Sequence, residues 1–149
     1  MKLETLVVGS FEVNCYLLSY ADSSVAVIDP GADAELILQH IRQNKLTVTH
    51  YLVTHGHVDH ISALAELDRL YPAPVIMHPE DVAWAFGATN TIEPYYPAPQ
   101  PPSSSIIFPE NLLLDAKDFQ CQIITTPGHS PGGVCYYFAQ YDSLFVGDT

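Results

Sequence analysis

The sequence predicts an α+β domain in which β-sheets are covered by helices. Short β-prone runs recur at hairpin or meander spacing, and stretches of helical period alternate with them. The 149 residues are 48% hydrophobic and 15% charged, enough for one core and too few for a second domain of ordinary size. No repeat or heptad pattern runs along the chain.

In order, Leu3 to Val8, Val13 to Tyr20 and Val25 to Ile28 read as strands, parted by Gly9-Ser10 and Ala21-Asp22-Ser23-Ser24. Asp29-Pro30-Gly31 turns the chain, and Asp33 is expected to cap a helix with Leu36, Ile37 and Ile41 on one side, ending at Asn44-Lys45. His50 to Val53 reads as a buried strand and Thr54 to Asp59 as a loop. Ile61, Leu64, Ala65 and Leu67 then resume a helical period that Pro72 and Pro74 end. Val75 to Met77 is a short strand, and Pro79 at a first helical position opens a helix through Trp84 and Phe86.

Six prolines between Gly87 and Pro109, with Ser103-Ser104-Ser105 and Tyr95-Tyr96, predict a surface loop over 87–110 inside the single domain 1–149. Loops beyond about 12–15 residues are functional or disordered more often than not, so a substrate-facing role and a stiffened connector both stand. Strands resume at Leu112 to Leu114, Cys121 to Thr125, Val134 to Phe138 and Leu144 to Val146.

Five Lys+Arg against 17 Asp+Glu give a net charge of −12, which repels phosphate backbones and anionic lipid and argues against nucleic-acid and membrane partners. Cys15, Cys121 and Cys135 are odd in number, lie in apolar runs and lack CxxC spacing, so neither a disulfide framework nor a thiolate metal site is indicated. The start Met1-Lys2-Leu3-Glu4 sets a carboxylate where a leader needs an apolar core, and no run approaches a membrane span. A soluble protein in a reducing cytoplasm is the expectation.

The dense chemistry lies in Thr54-His55-Gly56-His57-Val58-Asp59-His60, directly after an apolar strand. Three imidazoles and a carboxylate so close together repel one another if protonated and are costly to desolvate unless they share a cation. His55 and His57, at i and i+2 in extended chain, project to one side. Asp59 and His60 point elsewhere and can reach a second cation, about 3.5–4 Å from the first. Thr126 to Gly133, containing His129, and Gly147-Asp148-Thr149 repeat this placement, each setting one ligand-type residue on a turn after a strand.

These motifs resemble the metallo-β-lactamase superfamily: an HxHxDH run, then a histidine in a TPGHSPG-like turn, then an aspartate in a GDT-like turn, in that order from Leu3 to Thr149. Asn14-Cys15-Tyr16, Asp29-Pro30-Gly31 and Leu144 to Thr149 resemble its glyoxalase II-like branch. The resemblance implies a four-layer αββα sandwich, two mixed sheets packed face to face with outer helices. It implies that His55, His57 and His129 bind one metal, that Asp59 and His60 bind a second, and that Asp148 bridges them. Asp29 corresponds to a position just outside the ligand set, where it can orient a ligand. Zinc is the default metal, with iron or manganese also compatible with these residue types.

Three other histidines have plainer uses: His40 on a helix, His50 on a strand and His78 before Pro79 read as surface or capping residues. Cys15 and Cys135 are expected to be buried thiols, and Gly132-Gly133 a tight turn, since no phosphate-loop spacing accompanies it. Relatives in the resembled family continue past the GDT turn, with a further histidine for the second metal, so the sequence reads as incomplete at its C-terminus. The basic residues here are Lys2, Arg42, Lys45, Arg69 and Lys117, and glutathione specificity cannot be read from them.

The implied function is a metal-dependent hydrolase of a small thioester or ester, of the hydroxyacylglutathione type. The metal lowers the pKa of its water toward about 7 and Asp59 orients the resulting hydroxide. Rival readings are an iron-dependent persulfide dioxygenase, a β-lactamase and a non-catalytic metal-binding fragment.

Overall fold

A computed structural model describes residues 2–20, 23–117 and 119–149. The expected turn residues Ala21 and Asp22, and Met1, lie outside the described residues. Strands β1 (Lys2–Val8), β2 (Val13–Ser19) and β3 (Ser24–Ile28) form an antiparallel meander. Helix α1 (Ala34–Gln43) crosses to β4 (Thr47–Leu52), which pairs parallel with β3. The short helices α2 (Val58–Ile61) and α3 (Leu64–Leu70) lead to β5 (Val75–Ile76), and α4 (Pro79–Ala85) precedes β6 (Ile106–Ile107). These strands build one six-stranded sheet in the order β1-β2-β3-β4-β5-β6. Strands β7 (Leu113–Ala116), β8 (Phe119–Thr125), β9 (Val134–Phe138) and β10 (Ser143–Phe145) make an antiparallel sheet in the order β10-β9-β8-β7.

Strand alternation explains the layering. On the first sheet Leu17, Val25, Val27, Tyr51 and Val75 turn toward α1 and α3, where Ile37, Leu38, Ile41, Leu64 and Leu67 meet them. Their neighbours Leu18, Ala26, Ile28, Leu52 and Ile76 turn the other way, onto Phe119, Cys121, Ile123, Tyr136 and Phe138 of the second sheet. The parallel strands are therefore apolar on both faces. The second sheet is buried on one: Phe119, Cys121 and Ile123 are buried, whereas Gln120 and Gln122 between them and Ile124 after them are exposed. Helix, sheet and sheet are three layers of the αββα sandwich, and among the described residues no helix covers the outer face of the second sheet.

Five expectations need correction. Ile106–Ile107, inside the proline-rich stretch, is a strand parallel to β5. Asp33 makes no side-chain cap; its Oδ2 accepts the Gly9 N–H at 2.8 Å, tying the first hairpin to α1. Leu36 is 43% exposed and Leu38 takes its place in the core. The helical period begins earlier than expected, at Val58, so Asp59 and His60 sit on α2 rather than in or after a loop. The last strand is also one residue earlier, at Ser143–Phe145.

The proline-rich stretch is anchored. The buried Asp68 of α3 accepts the N–H groups of Ser103 at 2.7 Å and Ser104 at 2.9 Å, and Ile92 bridges to the buried Tyr96.

Candidate metal centre

Strands β3 and β4 run parallel, so Asp29 and the segment after Leu52 leave the first sheet at the same rim. Strands β8 and β10 are each antiparallel to β9 and so also end together, with His129 and Asp148 on the turns that follow. Two residues of β9 join the rims. Tyr136 Oη donates to the carbonyls of Val53 at 2.8 Å and Ile76 at 3.0 Å, and the Val134 N–H donates to the Thr54 carbonyl at 2.9 Å. Gly147 adopts φ 56°, and a Cβ there would lie 2.4 Å from Thr54 Oγ1, so only glycine lets Asp148 approach.

Two groups of ligand-type atoms result among the described residues. His55, His57 and His129 form one, and His55, His60 and Asp148 the other; in each the offered atoms lie within 4.8 Å of one another. His57 Nδ1 stands 2.9 Å from His129 Nε2. Asp148 divides its carboxylate, with Oδ1 3.2 Å from His60 Nε2 and Oδ2 3.4 Å from His129 Nε2. Asp59, on α2, stands outside both groups, with Oδ2 4.0 Å from His60 Nε2. Of the six residues singled out in the sequence, five are thus drawn together and the sixth flanks them.

Asp29 organises the buried side. Its Oδ1 accepts the Thr54 N–H at 2.7 Å; its Oδ2 accepts the Thr54 hydroxyl at 2.6 Å and lies 3.1 Å from His60 Nδ1. Because the Thr54 hydroxyl donates to Asp29, it accepts from His55 Nδ1, 3.1 Å away. Both rings are then left with Nε2 turned inward. Those two nitrogens are buried without a hydrogen-bond partner; Asp148 Oδ1 is near His60 Nε2 but outside hydrogen-bond geometry. Two orphaned imidazole acceptors beside a divided carboxylate suit a divalent cation better than any bond within the protein.

The rings are poised unequally. Burial, then the neighbouring His60, pushes the His55 imidazole down to about 4. Burial, then His129, lowers His57. Burial pulls His60 down as well, but its bond to Asp29 and the charges of Asp29, Asp148 and Asp59 outweigh this and raise it. The other histidines have local uses: His78 Nδ1 accepts the Glu80 N–H at 3.2 Å as the cap of α4, and His40 Nε2 lies 2.8 Å from Glu4 Oε2. His50 stands edge-on to Phe119. All three cysteines are buried and free, and burial raises the Cys15 and Cys121 thiols, which keeps them inert.

Two cavities flank the cluster. One, of about 580 Å³, lies between His57, His129 and a wall of Phe11, Trp84 and Ile92. The other, of about 330 Å³, is bounded by Glu12, Asn14, Tyr16 and His60. Asp59 and Asp148 border both. Sequence reasoning missed Tyr136, Trp84, Asp81 and Asn90; Trp84 packs 5.3 Å from His57 between ring centroids. An acidic residue in the first turn of the helix after Pro79 was visible, but nothing local connects it to the histidines.

A family model described as the metallo-beta-lactamase superfamily matches residues 8–149. Hydroxyacylglutathione hydrolase GloC of Haemophilus influenzae is 28% identical over 159 residues, covering 100% of this chain and 72% of its own. The crystal structure of BLEG-1 B3 metallo-beta-lactamase is similar at a TM-score of 0.87 and 28% identity, over 99% of this chain and 72% of that one. The crystal structure of TTHA1623 in a di-iron-bound form is similar at 0.81 and 29%, over 97% and 71%.

Proposed function

The chain belongs to the metallo-β-lactamase superfamily, and on that premise we propose that its histidine cluster is a metal centre for hydrolysis of a small thioester, of the hydroxyacylglutathione type. The observation that carries this is the divided carboxylate of Asp148 beside two buried, partnerless Nε2 atoms. His55, His57 and His129 would hold one cation, and His60 with Asp148, flanked by Asp59, would hold a second. Such cations lower the pKa of a water toward about 7 and polarise the scissile carbonyl.

The chain's own residues supply the rest. Asp59 borders both cavities, where its carboxylate would accept a hydrogen bond from the attacking water and orient it. Phe11, Trp84 and Ile92 give the larger cavity an apolar wall against which the acyl portion lies while excluding bulk water. A thiolate leaves without needing a proton donor, and the site asks for none. The likeness to GloC supports the hydroxyacylglutathione class, and the likeness to the di-iron form of TTHA1623 supports iron beside zinc and manganese. The likeness to GloC supports a small-molecule substrate, and three buried, free thiols support a cytoplasmic setting. Among the described residues no helix is long and apolar enough to cross a membrane.

Elemental analysis of protein purified without added metal, followed by thiol release from a hydroxyacyl glutathione thioester, tests the proposal. Metal-dependent release that chelation abolishes and added zinc or iron restores is expected. A metal-loaded protein that cleaves no thioester overturns it. The likeness to BLEG-1 makes a chromogenic β-lactam the second substrate, and hydrolysis of that alone would move the site to the lactamase branch.

A further inference from the structure

We infer that Asp81 is the positioning residue that sets the spacing of the two ligand-bearing loops, with Asn90 as its complement on one of them. This rests on the metal-centre reading above and extends it to residues that touch no ligand atom. Asp81 is on α4 and is 0% exposed. Its Oδ2 accepts the Gly56 N–H at 2.8 Å and the Ser130 hydroxyl at 2.7 Å, and its Oδ1 accepts the Gly132 N–H at 2.7 Å. Gly56 is the residue between His55 and His57, and Ser130 follows His129. One carboxylate therefore joins the loop after β4 to the loop after β8, on the side where His57 Nδ1 and His129 Nε2 stand 2.9 Å apart.

Asn90 completes the hold on the first loop. Its Nδ2 donates to the Gly56 carbonyl at 2.8 Å and to the Ala85 carbonyl, at the end of α4, at 2.6 Å; its Oδ1 accepts the Val58 N–H at 3.2 Å. Both polar groups of Gly56 and the amide after His57 are thus fixed by side chains, and the His57 ring projects from this held segment against Trp84 and toward His129. The second loop meets α4 at a glycine for a steric reason. A Cβ on Gly132 would fall 2.8 Å from the Asp81 backbone nitrogen and 2.9 Å from its carboxyl, so this glycine is an attachment point. The three donors to Asp81 are neutral, and they give a buried carboxylate its compensation without a cation from the protein.

A carboxylate that only held the fold together would, if altered, lower stability and leave the ligand geometry of the folded fraction alone. One that sets the spacing changes the metal's surroundings in folded protein. Outer partners of ligands typically cost about 10–100-fold in metal affinity when removed. Asp81→Asn keeps the size but turns an amide N–H₂ against one of the donors. The test is titration of the apo chain with cobalt(II), read as affinity by competition with a chelator and as the d–d absorption band, with folding checked by circular dichroism.

Asp81→Asn is expected to weaken cobalt binding about 10–100-fold and to shift or weaken the band while the chain remains folded. Ser130→Ala, which keeps both backbone donors, is expected to lose less, on the order of 10-fold or below, and carries the same test should Asp81→Asn not fold. A folded variant with wild-type affinity and band overturns the inference, even if its melting temperature drops. A wild-type chain that takes up no cobalt would instead overturn the metal-centre reading on which it rests.

Discussion

The two halves of the histidine cluster offer the same ligand chemistry and are held in opposite ways. On the buried side, Asp29 bonds the ligand itself, with His60 Nδ1 at 3.1 Å and His55 reached through Thr54. On the open side, where the His129 side chain is 43% exposed, Asp81 bonds no ring and instead grips the backbone of both loops. The first arrangement fixes ring orientation and protonation together, which is why His60 alone of the three affected rings is raised. The second fixes the path of the chain, leaving ring orientation to lateral packing such as that of His57 on Trp84 and to the cation. A site that must keep one ion and still admit a substrate gains from having one rigid half and one half that yields at the side chain.

The comparison breaks first at the open ligand. His57→Ala is expected to remove metal-dependent hydrolysis by about 1,000-fold or more, the several kcal/mol a lost cation no longer supplies, while near-native circular dichroism persists because His57 lies on a loop. Collapse of the fold in that variant would make the open half structural.

At the buried half the penalty shifts to stability. Asp29→Ala leaves the Thr54 amide and hydroxyl and His60 Nδ1 without their acceptor, and urea unfolding is expected to show a loss of about 3–5 kcal/mol. In the metal-free Asp29→Asn protein the His60 ring, raised in the native chain, should titrate at lower pH by NMR. An unmoved His60 would remove the distinction between the halves.

The third expectation concerns pH in the metal-free protein. His55 falls from 6.5 to about 4 on folding, so the native state sheds a proton the unfolded chain keeps. Its stability is full above about 6.5 and declines as pH falls toward the folded value, by on the order of 2–3 kcal/mol. His57, also lowered, acts in the same sense. His60, raised, acts oppositely: its contribution is present below about 6.5 and is lost as pH climbs through its folded value. Net destabilisation between pH 6.5 and 4 is therefore expected in chemical denaturation, and a flat profile would contradict the inequality of the rings. The smallest effect belongs to Ser130→Ala, about 1–2 kcal/mol by the same measurement, since two of the three donors to Asp81 remain.

Much of this site could be read from the sequence because ligand chemistry is carried by rare residue types in short runs. His55, His57, Asp59 and His60 fall within six residues, and His129 and Asp148 each follow an apolar strand with a glycine beside them. The strands of the two sheets were legible for a similar reason, since burial on one or both faces writes itself into local alternation. The two-residue β6 was not. Ile106–Ile107 has no period of its own and is a strand only because β5 lies beside it. Leu36 and Leu38 failed the same way, as helical spacing marks a stripe but the neighbouring sheet decides which edge of the stripe is covered.

The sequence by itself determined most of the strands and the six chemistry-bearing residues, since these follow from residue type and near-neighbour spacing, while the layering was implied by the family resemblance. Only the tertiary structure decided how those residues are held. Asp29 reaches Thr54 across 25 residues, Asp81 reaches Gly132 across 51, and Tyr136 reaches Val53 across 83. An aspartate or tyrosine that serves one bond at such a distance looks, in its own neighbourhood, like any other polar residue. Its role is conferred by the partner that folding brings to it, and hydrogen bonding has no period along the chain from which that partner could be read.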